Sequence, residues 1–258
     1  MTYLFGFNNS ILKSELQIAC FKNKDKNLNK HRNLKLFKCY PQNGKWKISI
    51  IDNNKKNDYF YILDHHEISN KDIFFLSERN TLDNFNDANL EKPITDETME
   101  RANFKILLET GGFSSYQADY PFNLATKNGS IISSVSSLMD NNADKNYILF
   151  RNIFCKPIED KFNAYLVDYK NKIILEEYEL KTNNSNFIEI EKKNIKDGFF
   201  FVTQKYLGIP MYVSIKNNFL SFEHTHPYNT YLFGKNQYTV LSNLKKEINE
   251  IIYKKNSQ

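Results

Sequence analysis

Two histidines, His224 and His226, are separated by one residue in a segment that follows the pair Asn217-Asn218. Asparagine tolerates the positive φ angles of a tight turn better than most residues, so this pair predicts a two-residue hairpin turn. The turn would place Met211 opposite His224, with both imidazoles on one face, because alternate residues of a strand share a face. Two imidazoles so placed can form part of the shell of one divalent metal ion (Zn, Fe or Mn) or act as catalytic acid and base.

A structural role is the alternative for this histidine pair. In that interpretation both imidazoles are hydrogen-bonded at the rim of a sheet, where Pro227 ends the strand. Glu223 and Thr225 point to the opposite face under the same register. The residue types therefore leave three roles open: a structural rim, metal ligation, and direct contact or acid/base chemistry with a ligand.

The HxH triplet formed by His224 and His226 resembles the one that opens the metal motif of cupins, a family of small β-barrels. Cupins place a glutamate three or four residues later and then a glycine; here Thr230 and Tyr231 stand at those places, with Gly234 nearby. The resemblance implies a cupin-like enzyme in which the two histidines hold a metal ion or act as acid and base on a sugar or small acid.

A second group of candidate residues lies in the polar stretch that begins with Gly111 and Gly112 and ends at Pro121. Adjacent glycines predict a turn, here followed by an irregular loop. Its mixture of hydroxyl, amide, carboxylate and aromatic groups suits contacts to a small polar molecule, a sugar or a nucleotide. The candidate ligand-binding residues are Ser114, Ser115, Tyr116, Gln117, Asp119 and Tyr120.

Two charged clusters are interpreted as solvated segments. Asp64-His65-His66-Glu67 follows an apolar run and predicts an exposed turn. Adjacent histidines in a strand face opposite sides, so at most one of these could join His224. Basic residues between positions 22 and 38 have Phe21, Phe37 and Tyr40 alongside, but the whole chain is rich in lysine, so a nucleic-acid partner is not expected.

Several enzyme classes lack their sequence signatures. There is no GxxxxGK[ST] phosphate-binding loop and no GxGxxG. The GxSxG elbow typical of many serine hydrolases is also absent from the sequence. These absences favour a binding protein over a nucleotide-dependent enzyme.

Composition predicts a folded β protein. Of the 258 residues, 41% are hydrophobic, and the 21 Phe and 16 Tyr suit half-buried strands. The net charge of +5 is mild, and no apolar run reaches the roughly 18 residues of a membrane span. Three cysteines at long, irregular spacings form neither a disulfide framework nor a metal clip, which favours the cytoplasm.

Short alternating runs separated by Asn-rich and Lys-rich breaks predict an all-β fold of the antiparallel sandwich or jelly-roll type. Residues 238–255 repeat apolar side chains at helical spacing and predict one C-terminal amphipathic α-helix. A domain boundary is expected in an acidic linker or loop, residues 81–101. It would separate an N-terminal β unit, residues 1–80, from a C-terminal β unit with the helix, residues 102–258.

The function predicted from these patterns is a non-catalytic or accessory β-sandwich that binds a small polar ligand, for example a carbohydrate. The cupin-like enzyme acting through His224 and His226 is the first alternative. A subunit that works through its strand edges, and so forms a homo-oligomer or a larger assembly, is the second. A membrane partner is not expected.

Overall fold

The structure is a computed structural model that describes residues 2–19, 34–57, 59–77, 102–224 and 236–256. Strands account for 51% of the described residues, and a helix lies at the C-terminus, so these two predictions are confirmed. The predicted sandwich or jelly roll is wrong. The strands form four small sheets arranged as a four-bladed β-propeller, in which short sheets replace two large packed ones.

Every strand pair within the four blades is antiparallel. We number the blades in the order in which their earliest strands, β1, β2, β10 and β11, occur along the chain. Blade 1 has the order β4 (Lys45–Ile50), β3 (Lys35–Gln42), β6 (Ile73–Ser77), β1 (Thr2–Leu4) and β9 (Asp119–Pro121). Blade 2 has the order β5 (Phe60–Leu63), β2 (Leu12–Ala19), β7 (Ala102–Leu108) and β8 (Phe113–Gln117).

Blades 3 and 4 contain only strands from the second half of the chain. Blade 3 has the order β10 (Ile132–Ser134), β15 (Phe199–Thr203), β12 (Lys161–Asp168) and β13 (Ile173–Lys181). Blade 4 has the order β14 (Ser185–Glu189), β11 (Lys145–Arg151), β16 (Ile209–Lys216) and β17 (Phe219–His224). The helices are α1 (Phe122–Ala125) and α2 (Gln237–Asn256), and short 3-10 turns span Asn53–Lys55 and Lys192–Asn194.

Blades 1 and 2 each combine strands from both sides of residues 81–101. In blade 2, β2 pairs with β7 over seven residue pairs, and in blade 1, β1 pairs with β9. The ranges 1–80 and 102–258 therefore share two sheets. The predicted linker itself lies outside the described residues and stays a prediction.

Blade 4 is buried on both faces. Along β11, Tyr147 and Leu149 belong to a core cluster shared with blades 1 and 2. Ile148 and Phe150, which point the other way, belong to a second cluster shared with blade 3. Because each face needs an apolar surface, the sequence of β11 reads as a continuous apolar run without alternation.

Helix α2 covers the outer face of blade 3. Ile248, Ile251 and Ile252 pack with Tyr165 and Val167 of β12 in a third cluster, so the predicted apolar stripe is the face that contacts the sheet. Its polar side is fastened by ion pairs and hydrogen bonds at the edge of the same blade. Within the part of the chain that the structure describes, no helix is long and apolar enough to cross a membrane.

The connection after β12 is held by the buried carboxylate of Asp168. The backbone and side-chain amides of Asn171 donate hydrogen bonds of 2.9 and 2.7 Å to it. Burial alone would raise the pKa of this carboxyl, but the hydrogen bonds outweigh it and the pKa is lowered. The charged form therefore stabilises the fold above the unfolded pKa of about 3.9, and that contribution is lost as the pH falls through the folded value.

We expect the free energy of unfolding to fall as the pH drops below about 4, partly because of Asp168. Asp168→Asn should lower stability at pH 7 by about 1 kcal/mol and flatten this acid dependence. Urea unfolding followed at pH 7, 5 and 3 by the fluorescence of Trp46, the only tryptophan in the sequence, measures both effects. Asn171→Ala, which removes one donor, should flatten the same window in part; an unchanged slope in both variants would contradict the assignment.

Candidate functional site

The β16–β17 hairpin has the predicted register. Asn217 and Asn218 form its turn with φ angles of 47° and 68°. Met211 pairs with His224, and the pairs nearer the turn also match the prediction. This agreement follows from local chemistry, because a two-residue turn of this type fixes every pair in the hairpin.

His224 lies at the end of β17 and is half-buried between blades 4 and 2. Its ring centroid is 4.2 Å from that of Tyr116 on β8, at an angle of 51°. The preceding side chain, Glu223, points away and is exposed. His226 lies outside the described residues, so its predicted roles stay predictions.

The described residues give no support for metal binding. Among the described ranges, no group of three or more His, Cys, Asp or Glu side chains is placed to hold a metal ion. The arrangement of short blades also differs from the barrel that the cupin resemblance implies. A single histidine with an aromatic neighbour does not make a metal centre, since protein zinc sites use three or four ligands.

The stretch expected to be an irregular loop instead forms β8 and β9. In β8, Ser115 and Gln117 are exposed, whereas Ser114 and Tyr116 turn towards the interior. Asp119 is half-buried in β9. Tyr120 is fully buried, its hydroxyl donates to the carbonyl of Leu207 at 3.4 Å, and burial raises its pKa. The six predicted ligand-binding residues therefore divide among different surfaces.

Strands of all four blades line one cavity of about 500 Å³. Blade 1 contributes β9, blade 2 contributes the end of β8, blade 3 contributes β10, and blade 4 contributes the start of β16 and the end of β17. Helix α1 and the residues after it complete the wall. The lining residues are Gln117, Asp119, Pro121, Asn123, Leu124, Lys127, Ile131, Ile132, Gly208, Ile209, Pro210 and His224.

The cavity joins an apolar wall to a small set of polar groups. Isoleucines, a leucine and two prolines supply the apolar part. The polar groups comprise a carboxylate, an ammonium, an imidazole and two amides, from Asp119, Lys127, His224, Gln117 and Asn123. Such a combination is typical of sites that bury the ring of a small molecule and fix its orientation through a few hydrogen bonds.

No protein-family model, curated protein or solved structure matches this chain. Three of the predicted site residues, Gln117, Asp119 and His224, line this cavity, although 107 positions separate the first from the last. The propeller arrangement brings them together.

Gly208 lets β16 approach the core beneath the cavity. A Cβ atom at this position would lie 2.2 Å from Cζ of Phe150 and 2.5 Å from the carbonyl oxygen of Arg151. The wall is therefore set by the close approach of the Gly208 backbone to the buried ring of Phe150 and to the backbone of Arg151. A larger residue at position 208 would displace the start of β16, which also carries Ile209 and Pro210 of the cavity.

Sequence reasoning missed the part of the cavity contributed by α1 and β10. Asn123, Lys127 and Ile131 belong to no recognisable motif, and α1 is only four residues long. Nothing in their spacing relates them to His224, because the connection is made by contacts between blades. The signal that could be read was the polar cluster around Gln117 and Asp119.

The turn predicted at Asp64-His65-His66-Glu67 is confirmed, with residues 65–67 forming a turn. Asp64 accepts a hydrogen bond from the backbone of His66, and Glu67 forms a 2.6 Å ion pair with Lys55. The two imidazole centroids lie 3.8 Å apart, because the chain turns here and does not alternate as a strand would. The cavity lining includes neither histidine.

Proposed function

We propose that this protein binds a small, hydroxyl-rich molecule, such as a carbohydrate, in the cavity where the four blades meet. The supporting observation is that one cavity, about 500 Å³ in volume, gathers Gln117, Asp119 and His224 from three blades against an apolar wall. Ligand pockets commonly have this size and this ratio of apolar surface to placed polar groups.

The polar groups suit a ligand with several hydroxyl groups better than a ligand with a single fixed charge. The carboxylate of Asp119 accepts hydrogen bonds, the ammonium of Lys127 donates them, and the amides of Gln117 and Asn123 do both. The opposite charges of Asp119 and Lys127 leave the set without a strong net charge. The apolar wall can pack against the C–H face of a sugar ring. The ring of Tyr116 contacts the imidazole of His224.

A second candidate is acid/base catalysis on the same ligand. It is favoured by one observation: the cavity lining contains both a carboxylate, Asp119, and an imidazole, His224. An imidazole titrates near neutrality and can transfer a proton at physiological pH. This candidate differs from simple binding in one consequence, because the ligand would be chemically changed.

The location proposed with this function is the cytoplasm. Cys39 and Cys155 are both buried in the core. Burial raises the pKa of the Cys39 thiol, which keeps it in the unreactive protonated form. Fractionation of the source cells with antibody detection would test this placement; recovery with secreted proteins would contradict it.

Asp119→Asn and Lys127→Met are expected to weaken binding of a cavity ligand by about tenfold or more, the effect of losing one hydrogen bond to a charged group. Neutral hexoses, hexosamines and hexuronic acids form the probe panel, first by ligand-observed NMR and then by calorimetry. Lys127 is exposed, so its variant should keep the parent melting temperature. Glu223→Gln, next to His224 but facing away, is the matched control and should bind as the parent does.

Two outcomes decide between the candidates. Proton spectra of the bound sugar that stay constant over hours support binding alone, whereas new product signals that disappear in His224→Ala support catalysis. If no sugar in the panel binds, or if Asp119→Asn and Lys127→Met bind as tightly as the control, the proposed function is wrong.

A further inference from the structure

The solvent-facing side of blade 2 carries three amide side chains in one row. Gln17 on β2 pairs with Asn103 on β7, and Asn103 pairs with Gln117 on β8. Residues paired directly across antiparallel strands point to the same face. Since neighbouring strands lie about 4.8 Å apart, the three amides repeat at close to the length of one pyranose unit in an extended chain.

A concavity of about 600 Å³ lies over this row. Asn103, Ser115 and Gln117 are exposed within it, and Phe60 borders it with 36% of its surface exposed. Gln17 is held in place because its amide nitrogen donates a 3.0 Å hydrogen bond to the carboxylate of Glu15. The row therefore offers hydrogen-bond donors and acceptors, and the ring of Phe60, which pairs with Ala19, lies beside its Gln17 end.

This concavity and the cavity between the blades share the side chain of Gln117. A ligand longer than one ring could therefore occupy both without leaving the protein surface. Gln117 is the last residue of β8, at the end where the chain continues towards Asp119 in β9. The cavity and the concavity are therefore connected where the chain passes from blade 2 to blade 1.

Among the described residues of this face, the charges on β2 and β7 are balanced in pairs. Glu15 pairs with Lys105 in the β2–β7 register, and Lys13 forms a 3.0 Å ion pair with Glu109. A single-stranded nucleic acid requires an excess of positive charge along its phosphates. Amides and a serine hydroxyl, which both donate and accept, are complementary to a neutral chain of hydroxyl groups.

We infer that the ligand is a neutral, linear oligosaccharide, with one end in the cavity and the following units along the amide row of blade 2. This inference rests on the proposed function and extends it from a single sugar to a chain. Gln117 then contacts the ligand at the junction, Asn103 and Gln17 contact successive units, and Phe60 packs against a more distant ring.

The probes are glucose and the malto- and cello-oligosaccharides of two to six glucose units, with binding measured by calorimetry. We expect affinity to rise with chain length over the first three or four units. Asn103→Ala and Gln17→Ala should each weaken binding of the longest oligomers by about threefold to tenfold, the loss of a neutral hydrogen bond, and leave the shortest unaffected. Gln117→Ala should weaken both. Gln42→Ala, an exposed amide on blade 1, is the matched control.

The outcomes separate this inference from the function beneath it. A short sugar that binds through Asp119 with no gain from added units overturns the chain and leaves the cavity ligand intact. Long oligomers that depend on Asn103 but not on Asp119 overturn the cavity as the anchoring site. If neither a single sugar nor an oligomer binds, both the oligosaccharide inference and the proposed cavity ligand are overturned. Retention of poly(U) by the parent and its loss in Asn103→Ala would replace the oligosaccharide with single-stranded nucleic acid.

Discussion

Arg151→Met is expected to lower the free energy of unfolding by about 3–5 kcal/mol. The Arg151 side chain is fully buried where β11 of blade 4 meets blade 1. Its guanidinium donates hydrogen bonds to the carbonyls of Asn70 and Asp72 and to the hydroxyl of Ser185, and it lies 5.6 Å from the ring of Phe5. Methionine would fill much of the space but remove the hydrogen bond that the guanidinium gives to each of these three buried acceptors.

The sign of this effect depends on what remains after the substitution. Burial lowers the pKa of Arg151 to about 10, so the charged form does carry a desolvation cost that methionine removes. Replacing a whole buried polar cluster by apolar groups can be neutral, but removing one member takes hydrogen bonds away from the members that remain buried. Because two of the acceptors are backbone carbonyls, no single substitution can remove them.

Urea unfolding followed by the fluorescence of Trp46 measures this loss. Arg151→Lys, which keeps a charge but not the planar fork of donors, should fall between the parent and Arg151→Met. Lys156→Met, at an exposed position on the following loop, is the control for exchanging a cation for methionine. If Arg151→Met were as stable as this control, the buried guanidinium would not be the connection between blades 1 and 4 that its contacts indicate.

Gly112→Ala is expected to destabilise the protein by about 3 kcal/mol, the upper part of the range for added atoms in a packed region. Gly112 lies in the β7–β8 turn of blade 2, and a Cβ atom there would be 2.0 Å from the backbone oxygen of Asn218. That oxygen belongs to the β16–β17 turn of blade 4. A backbone group cannot rotate away as a flexible side chain can, so the two hairpins must separate.

The same substitution should disturb the site as well as the stability. Separating these hairpins moves β8 relative to β17, and the contact between Tyr116 and His224 joins those two strands. We therefore expect both the melting temperature and sugar binding to fall together. Gly44→Asn is the control, since position 44 has a positive φ that asparagine tolerates and no atom lies within 4 Å of its added Cβ. Equal stability of the two variants would contradict the close approach.

Sequence patterns predicted the features that depend on neighbours along the chain. The β class, the register around Asn217 and the apolar stripe of α2 all follow from period and turn chemistry. The sandwich prediction was wrong because antiparallel hairpins have the same local pattern in a sandwich and in a propeller. The difference lies in which sheets pack together, and here the contacts join residues as distant as Gly112 and Asn218.

The candidate site shows the same limit. His224 and Asp119 stood out by residue type, whereas Lys127 and Ile131 line the same cavity without any distinguishing motif. The segment around Ser115 was interpreted as a loop because serine, glutamine and glycine are common in loops. It is a strand because each of its residues pairs with a residue of β7 in an antiparallel register. Pairing between strands, which no local pattern displays, decided these assignments.

The position of β1 in blade 1 has a consequence for the order in which the chain can fold during synthesis. β1 lies between β6 and β9, which end at Ser77 and Pro121. A nascent chain therefore carries β1 unpaired until its partners have emerged from the ribosome. Closing such a long loop before any contact forms is slow, so blade 1 is expected to complete late, and the delay leaves Tyr3 and Phe5 available to chaperones.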